Sequence, residues 1–248
     1  MALSRRQKLT IISLLVYWPG IFILAHIPIP QWVYKAGVSD KSLHFIAYLI
    51  LAFLLWFAIS PDRKVNWHRA AVWWVLFVVV WYGVVDELLQ GYVGRSCDVT
   101  DFFADLAGAL IGLILLTIFP FWSASVAITG AVIFVLTNFM GANLADLLPV
   151  TNAAFRLFGY AFFSLLWTRY MYHCLPIESS QTKWLIGALA VPTGLLLAAE
   201  LFSAAAGNGF RPWCVMVSAV GIAAVVITIY LIALFRRKSV QELSLRDT

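Results

Sequence analysis

The residues of this chain that could do chemistry gather in two short stretches. One is "VVDELLQGYVGRSCDVTDFFADLAGALIG", residues 84–112, which holds Asp86, Glu87, Gln90, Arg95, Asp98, Asp101 and Asp105. The other is "SDKSLHFIAYLILAF", which holds Asp40, Lys41, His44 and Tyr48. An imidazole and carboxylates are general acid/base types, and His44, Asp86 and Glu87 are the candidates for that work. Asp98, Asp101 and Asp105 could share a divalent cation, although three acids along one helix rarely complete a metal shell. Arg95 can grip a carboxylate bidentately, or hold the phosphate or carboxylate of a ligand, with Lys41 as a second cation for anionic groups. No Ser or Cys sits in a recognisable nucleophile setting.

What must position these groups is a membrane bundle. The chain is 62% hydrophobic and 12% charged, and its mean hydropathy is +0.90, outside the range of soluble domains. About eight apolar runs, near 9–27, 43–60, 70–90, 101–119, 122–142, 153–172, 184–205 and 212–235, reach the length that crosses a bilayer core. Backbone in lipid must satisfy its own hydrogen bonds, so continuous runs of this length are helices rather than barrel strands. The expected fold is all-α, a polytopic transmembrane helical bundle with one four-helix unit over 1–120 and a second over 121–248. Pro120-Phe121 predicts a tight turn that makes the fourth and fifth spans antiparallel neighbours.

At the amino terminus Arg5, Arg6 and Lys8 precede the first apolar run as in a signal peptide. That run is too long for a signal core and "AHIPIP" offers no small-residue cleavage site, so a retained anchor is expected. With this end in the cytoplasm, Lys35, Lys41, Arg95, Arg156 and Arg211 fall on or near the outer side, and the rest of the 17 Lys and Arg fall inside. Both termini are then cytoplasmic. The positive charge follows topology and does not imply nucleic-acid binding. Cys97, Cys174 and Cys214 lack paired metal spacing; Cys97 and Cys214 share the outer side, where two unrelated thiols or a disulfide both fit.

On this topology residues 84–112 form an outward-facing helical hairpin. Asp101, Asp105, Gly108 and Gly112 share one helix face. Asp98 and Thr100 are natural N-caps, and Asp101 is a first-turn acid that the helix dipole favours, so capping alone accounts for Asp98 and Asp101. Asp105 lies about 6 Å deeper than Asp101, and Asp86 about 6 Å inside the end of its span. An ionised Asp at such depth costs about 3 kcal/mol, so these acids are expected to face the bundle interior or a wet cavity. Ala104, Gly108 and Gly112 form a small-residue stripe whose expected role is close helix packing. His44 sits at the depth of the acids, with Lys41 and Tyr48 on its stripe; a structural histidine and a functional one both fit.

Together these residues resemble the VanZ family of bacterial membrane proteins. The resemblance is carried by "DKSLHFIAY" and then "DELLQGYVGRSCDVTDFFADLAGALIG", and covers roughly residues 8–118. It implies a bacterial cytoplasmic membrane protein of the cell envelope, whose namesake is linked to resistance to the glycopeptide antibiotic teicoplanin. It carries over as polar positions Asp40, Lys41, His44, Tyr48, Asp86, Glu87, Gln90, Arg95, Asp98, Asp101 and Asp105. The family often has Asn where this chain has Asp105, and residues 120–248 fall outside the motif.

That second half can be aligned as a faded repeat, with Glu200 and Gly221 placed as Glu87 and Gly108 are and Arg211 in the loop between, although chance alignment of apolar sequences also fits. It lacks counterparts of Asp98, Asp101 and Asp105. Arg156 and Glu200 lie at a similar depth and could pair.

Four functions fit. One is an outward-facing polar pocket that binds or modulates an envelope lipid, a lipid-linked precursor or an amphiphilic antibiotic. Another is an intramembrane enzyme acting on a lipid-linked substrate. A third is a lipid transporter or flippase, for which Pro19-Gly20 and Pro192-x-Gly194 supply helix breaks, although ordinary proline kinks explain them. The fourth is an internal ion network that only fixes packing. Membrane lipids or lipid-linked envelope intermediates are the expected partners. No cofactor and no resident metal is expected.

Overall fold

The computed structural model describes residues 3–27, 40–61, 63–93, 98–139, 149–174, 182–207 and 209–246. Among them are eight helices and no strands: α1 (Arg5–His26), α2 (Asp40–Ile59), α3 (Ala70–Tyr92), α4 (Val99–Ile118), α5 (Phe121–Phe139), α6 (Pro149–Cys174), α7 (Thr182–Ala205) and α8 (Pro212–Arg246). Seven are long and apolar enough to cross a membrane. The exception is α6, which has the length but carries Asn152, Arg156, Arg169 and His173 along it. The chain is a polytopic helical membrane protein. It divides into two compact units, Met1–Ile128 and Thr129–Thr248.

Local signals set the ends. Ser4 caps α1 by accepting the Gln7 amide at 3.1 Å, and Asp98 caps α4 by accepting the Thr100 amide at 2.8 Å. Pro149 and Pro212 open α6 and α8, where a missing N–H costs nothing. Gly207, at φ 81°, follows the end of α7 in the left-handed conformation that only glycine adopts freely. Between α4 and α5 the chain turns within Phe119-Pro120, and the Pro120 carbonyl accepts the Ala124 amide at 2.9 Å.

In the first unit, one face of each helix turns inward and changes character along its length. On α3 the buried stripe runs Val72, Val75, Val79, Gly83, Asp86, Gln90, a helical spacing that begins apolar and ends acidic. The buried face of α4 mirrors it, from Asp101 and Asp105 through Gly108 and Gly112 to Leu113 and Leu116. On α2, His44 and Tyr48 give way to Leu51, Ala52, Leu55 and Trp56. The unit therefore has an apolar core at one end and a polar one at the other. The outward faces carry Trp73, Trp74, Phe77, Trp81 and Phe103, each more than half exposed, as suits contact with lipid.

The glycines of α4 set how close α2 comes. A Cβ on Gly108 would run into the carbonyl of Phe45, and one on Gly112 would lie 3.2 Å from the Leu49 carbonyl. The stripe is a packing surface, as the sequence suggests. Helix α1 is held by Tyr17, whose hydroxyl donates to the Ala47 carbonyl at 3.0 Å, and by Gln7, which donates to the Ala58 carbonyl at 3.0 Å.

At the apolar end, the segment from Arg63 to Arg69 closes over the carbonyl terminus of α4. Val65 N–H donates to Leu116 O at 2.9 Å, Lys64 Nζ to Ile118 O at 2.6 Å, and Trp67 Nε1 to Thr117 Oγ1 at 3.0 Å. The first two bonds satisfy carbonyls that a helix end leaves open.

Candidate functional site

The polar end of the first unit draws its side chains from α2, α3 and α4. His44 Nδ1 lies 2.9 Å from Asp105 Oδ1, and both side chains are buried, at 7% and 2% exposure. The other ring nitrogen faces Asp40 Oδ1 at 3.9 Å. Carboxylates on both sides of the imidazole fix the ring's plane. Asp105 reaches this position because α3 offers no side chain at Gly83, whose added Cβ would touch Asp105 Oδ2 at 3.4 Å.

Glu87 and Asp86 occupy the same level on α3. Gln90 donates from Nε2 to Asp86 Oδ2 at 2.9 Å. The Asp98 amide donates to Glu87 Oε2 at 3.1 Å, so an α3 carboxylate holds the start of α4. Nearer the surface, Lys41 Nζ bridges Asp98 Oδ2 at 3.3 Å and Asp101 Oδ1 at 3.5 Å. The Thr100 amide and then the Lys41 ammonium keep the Asp98 carboxyl below the usual carboxylate range. Lys41 is thus engaged by two acids of this chain, which leaves little of its charge for an anionic ligand.

Below the ions lies an aromatic floor. Tyr48 stacks on Tyr82 at 5.7 Å between centroids, and Tyr82 meets Trp18 edge-on at 5.4 Å. The Tyr48 hydroxyl is buried and has no hydrogen-bond partner; nor do Glu87 Oε1 and Asp105 Oδ2. Buried polar atoms are normally satisfied, so three such atoms in one place are an unfilled demand.

Among the described residues, two groups of side chains here bring possible metal-ligand atoms together. In one, His44, Glu87 and Asp105 each bring a donor atom within 4.8 Å of the others; in the second, Asp40, His44 and Asp101 do. All three members of the first are buried, whereas Asp40 of the second is partly exposed.

With this geometry in view, comparison with known proteins becomes informative. The VanZ/LLP1 family model matches residues 6–120. This segment is VanZ-like. No curated protein and no solved structure matches the chain. The VanZ-like segment lies wholly within the first unit and contains every residue of the polar end.

Of the positions singled out from sequence, the VanZ-like segment brings Lys41, His44, Tyr48, Asp86, Glu87, Gln90, Asp98, Asp101 and Asp105 to one end, with Asp40 beside them. Arg95 and Cys97 lie outside the described residues. Cys214 is a buried free thiol that accepts from Asn152 Nδ2 at 3.4 Å. Sequence reading missed His26 and Tyr82. His26 stacks on Phe22 at 4.1 Å, and its Nδ1 is 3.8 Å from Asp86 Oδ1. Its signal was available: it ends the first span at the depth of the acids. Tyr82 is one turn from Asp86 on α3, hidden within a long apolar run.

The second unit buries its own ion pair. Arg156 Nη1 and Glu200 Oε1 lie 2.5 Å apart, at 6% and 7% exposure. Close by in sequence on α6, Tyr160 is fully buried and its hydroxyl is also without a partner. A Cβ on Gly221 of α8 would run into the Leu157 carbonyl of α6, the contact that Gly108 makes with Phe45.

Proposed function

We propose that the VanZ-like segment is a membrane-embedded binding module for an amphiphilic envelope molecule: a lipid, a lipid-linked precursor or a glycopeptide-type antibiotic. The observation that carries this is the unmet hydrogen-bonding capacity of Tyr48, Glu87 and Asp105, buried at one end of a unit otherwise sheathed in apolar side chains. A ligand with a polar head and an apolar body meets both demands. Because acids dominate and Lys41 is engaged, a head rich in donors, such as hydroxyls, amides or an amine, suits the site better than a bare phosphate.

Tyr48→Phe and Asp105→Asn test the reading. Expressed in a teicoplanin-susceptible bacterium, the native chain should raise tolerance to the antibiotic. Tyr48→Phe, which removes one hydroxyl from a place with no internal partner, should accumulate normally and lower that tolerance by about tenfold, as loss of one good ligand hydrogen bond would. Equal tolerance at equal abundance would end this reading of Tyr48. Asp105→Asn separates roles further: Asn restores the residue common in the family and still accepts from His44, so a charge-dependent site loses function and a packing site does not.

The His44–Asp105 pair supports a second reading, an intramembrane enzyme acting on a lipid-linked substrate with His44 as acid or base and Asp105 orienting it. His44→Gln then abolishes turnover while leaving ligand retention in place.

Both termini are placed in the cytoplasm on this proposal, with the polar end of the VanZ-like segment outermost and α6 crossing the membrane despite its polar residues. Reporter fusions after Lys64 and after Lys238 should both read cytoplasmic. A periplasmic signal after Lys238 alone would mean that an odd number of helices crosses, with α6 the first suspect.

We read the second unit as a degenerate copy of the first. Its support is the shared glycine contact and the matching register, in which Arg156, Tyr160, Glu200 and Ser218 stand where His44, Tyr48, Glu87 and Asp105 stand.

A further inference from the structure

We infer that His44, Glu87 and Asp105 bind a single divalent first-row transition cation, of the zinc or manganese type. The three come from three different helices, and each brings a donor atom within 4.8 Å of the others. Three acids along α4 alone seldom complete a shell; α2 and α3 supply what that one helix lacks. Small rotations of these side chains bring the donors to the spacing of a metal shell, whose bonds to nitrogen and oxygen are about 2.0–2.2 Å.

Charge balance points the same way. Asp86, Glu87, Asp101 and Asp105 are each at most 5% exposed. Among the described residues, the basic groups facing them are the imidazoles of His44 and His26 and Lys41, whose ammonium is largely exposed and lies on Asp98 and Asp101. Taking carboxylates out of water is costly, and a divalent cation bound by Glu87 and Asp105 offsets two charges at once. Glu87 Oε1 and Asp105 Oδ2 have no hydrogen-bond partner, so each has lone pairs to give. Tyr48, 2% exposed, one turn along α2 from His44 and close enough to Asp105 and Glu87 to feel their charges, adds an unpartnered hydroxyl on the floor of the site.

The second unit serves as an internal comparison. At the matching register it has Arg156 for His44 and Ser218 for Asp105, and the guanidinium sits on Glu200 at 2.5 Å. There the protein supplies a permanent cation and carries one carboxylate fewer. At that register the first unit has His44 in place of the guanidinium and Asp105 as an extra carboxylate, a donor set that an exchangeable cation can use.

Donor chemistry narrows the ion. An imidazole nitrogen beside two carboxylates suits zinc or manganese and disfavours magnesium and calcium, which take oxygen ligands. Three protein ligands leave a coordination position open. The inference stands apart from the amphiphile reading, because ion retention is measured with no amphiphile present.

The full chain, purified in detergent, stripped with a chelator and reloaded with zinc or manganese chloride, should retain close to one ion per chain after gel filtration. Magnesium should not be retained. His44→Gln, Glu87→Gln and Asp105→Asn should each weaken binding by about tenfold or more, measured by competition with a chromophoric chelator. Asp101→Asn, which removes a neighbouring charge and not a ligand, should weaken binding clearly less than these three do. The native chain gives a reading that no variant's folding can confuse: its melting temperature should rise with added zinc or manganese and not with magnesium. Failure of the native chain to retain an ion or to gain thermal stability would overturn the inference. So would equal retention in Glu87→Gln, which places the ion elsewhere, or loss in Asp101→Asn with retention in Glu87→Gln, which assigns it to Asp40, His44 and Asp101.

Discussion

Gly108→Ala should remove most of the folded protein from the membrane. The added Cβ lands on the backbone carbonyl of Phe45 and close to the Leu49 amide, and a carbonyl within a helix cannot rotate aside as a side chain would. Relief requires α2 and α4 to separate, which would pull His44 from Asp105 and loosen the contacts of Ala109 and Leu113, both fully buried. Overpacking a tight core costs about 1–3 kcal/mol, and a backbone obstacle belongs at or above the top of that range. Gly112→Ala meets the Leu49 carbonyl at 3.2 Å and the Ala52 Cβ at 3.4 Å, contacts that a few tenths of an ångström relieve, so its loss should be clearly smaller. Gly20→Ala meets nothing within 4 Å and should match or slightly exceed the native abundance, since Ala is the better helix former. Abundance in membranes and the melting temperature in detergent rank the three. A Gly108→Ala chain as stable as Gly20→Ala would mean that α2 and α4 are not in this contact.

How far the site could be read in advance depended on which direction each signal ran. Along a helix, periodicity is a strong guide: Asp101, Asp105, Gly108 and Gly112 share a face in the sequence, and the structure turns that face onto α2. The pairing of His44 with Asp105 was not legible, because it depends on how far α2 slides along α4, and that is set by where Gly108 lets the Phe45 carbonyl approach. Glu87 shows the same limit from another side. Its position about 100° around α3 from Asp86 suggests that one of the two faces elsewhere, yet both are buried, because α2 and α4 together cover a wide arc of α3. Tyr82 was passed over because it sits in an apolar run where nothing local marks it, whereas His26 was legible from its place at the end of the first span. Lys41 was read as a cation for a ligand and is found bridging Asp98 and Asp101, a pairing across helices that spacing cannot reveal.

Arg156→Met should destabilise the second unit by about 3–5 kcal/mol, because it leaves Glu200 buried at 7% exposure with its cation gone. Met has nearly the length of the arginine stem, so the effect reports charge rather than volume. Arg156→Met combined with Glu200→Met should recover most of the loss, since a buried ion pair replaced by apolar side chains of similar volume is often neutral or better. Arg156→Lys should fall between, keeping the charge while giving up the second face of the guanidinium. Melting temperature in detergent, with membrane abundance as a parallel reading, separates these cases. The pattern also bears on the kinship of the two units. Glu200→Gln should be comparably costly, because it strands at 6% exposure a guanidinium that cannot shed its proton. Severe loss from Glu200→Gln with little loss from Arg156→Met would mean that the carboxylate, and not the cation, anchors the second unit, and the parallel with His44, Glu87 and Asp105 would fail.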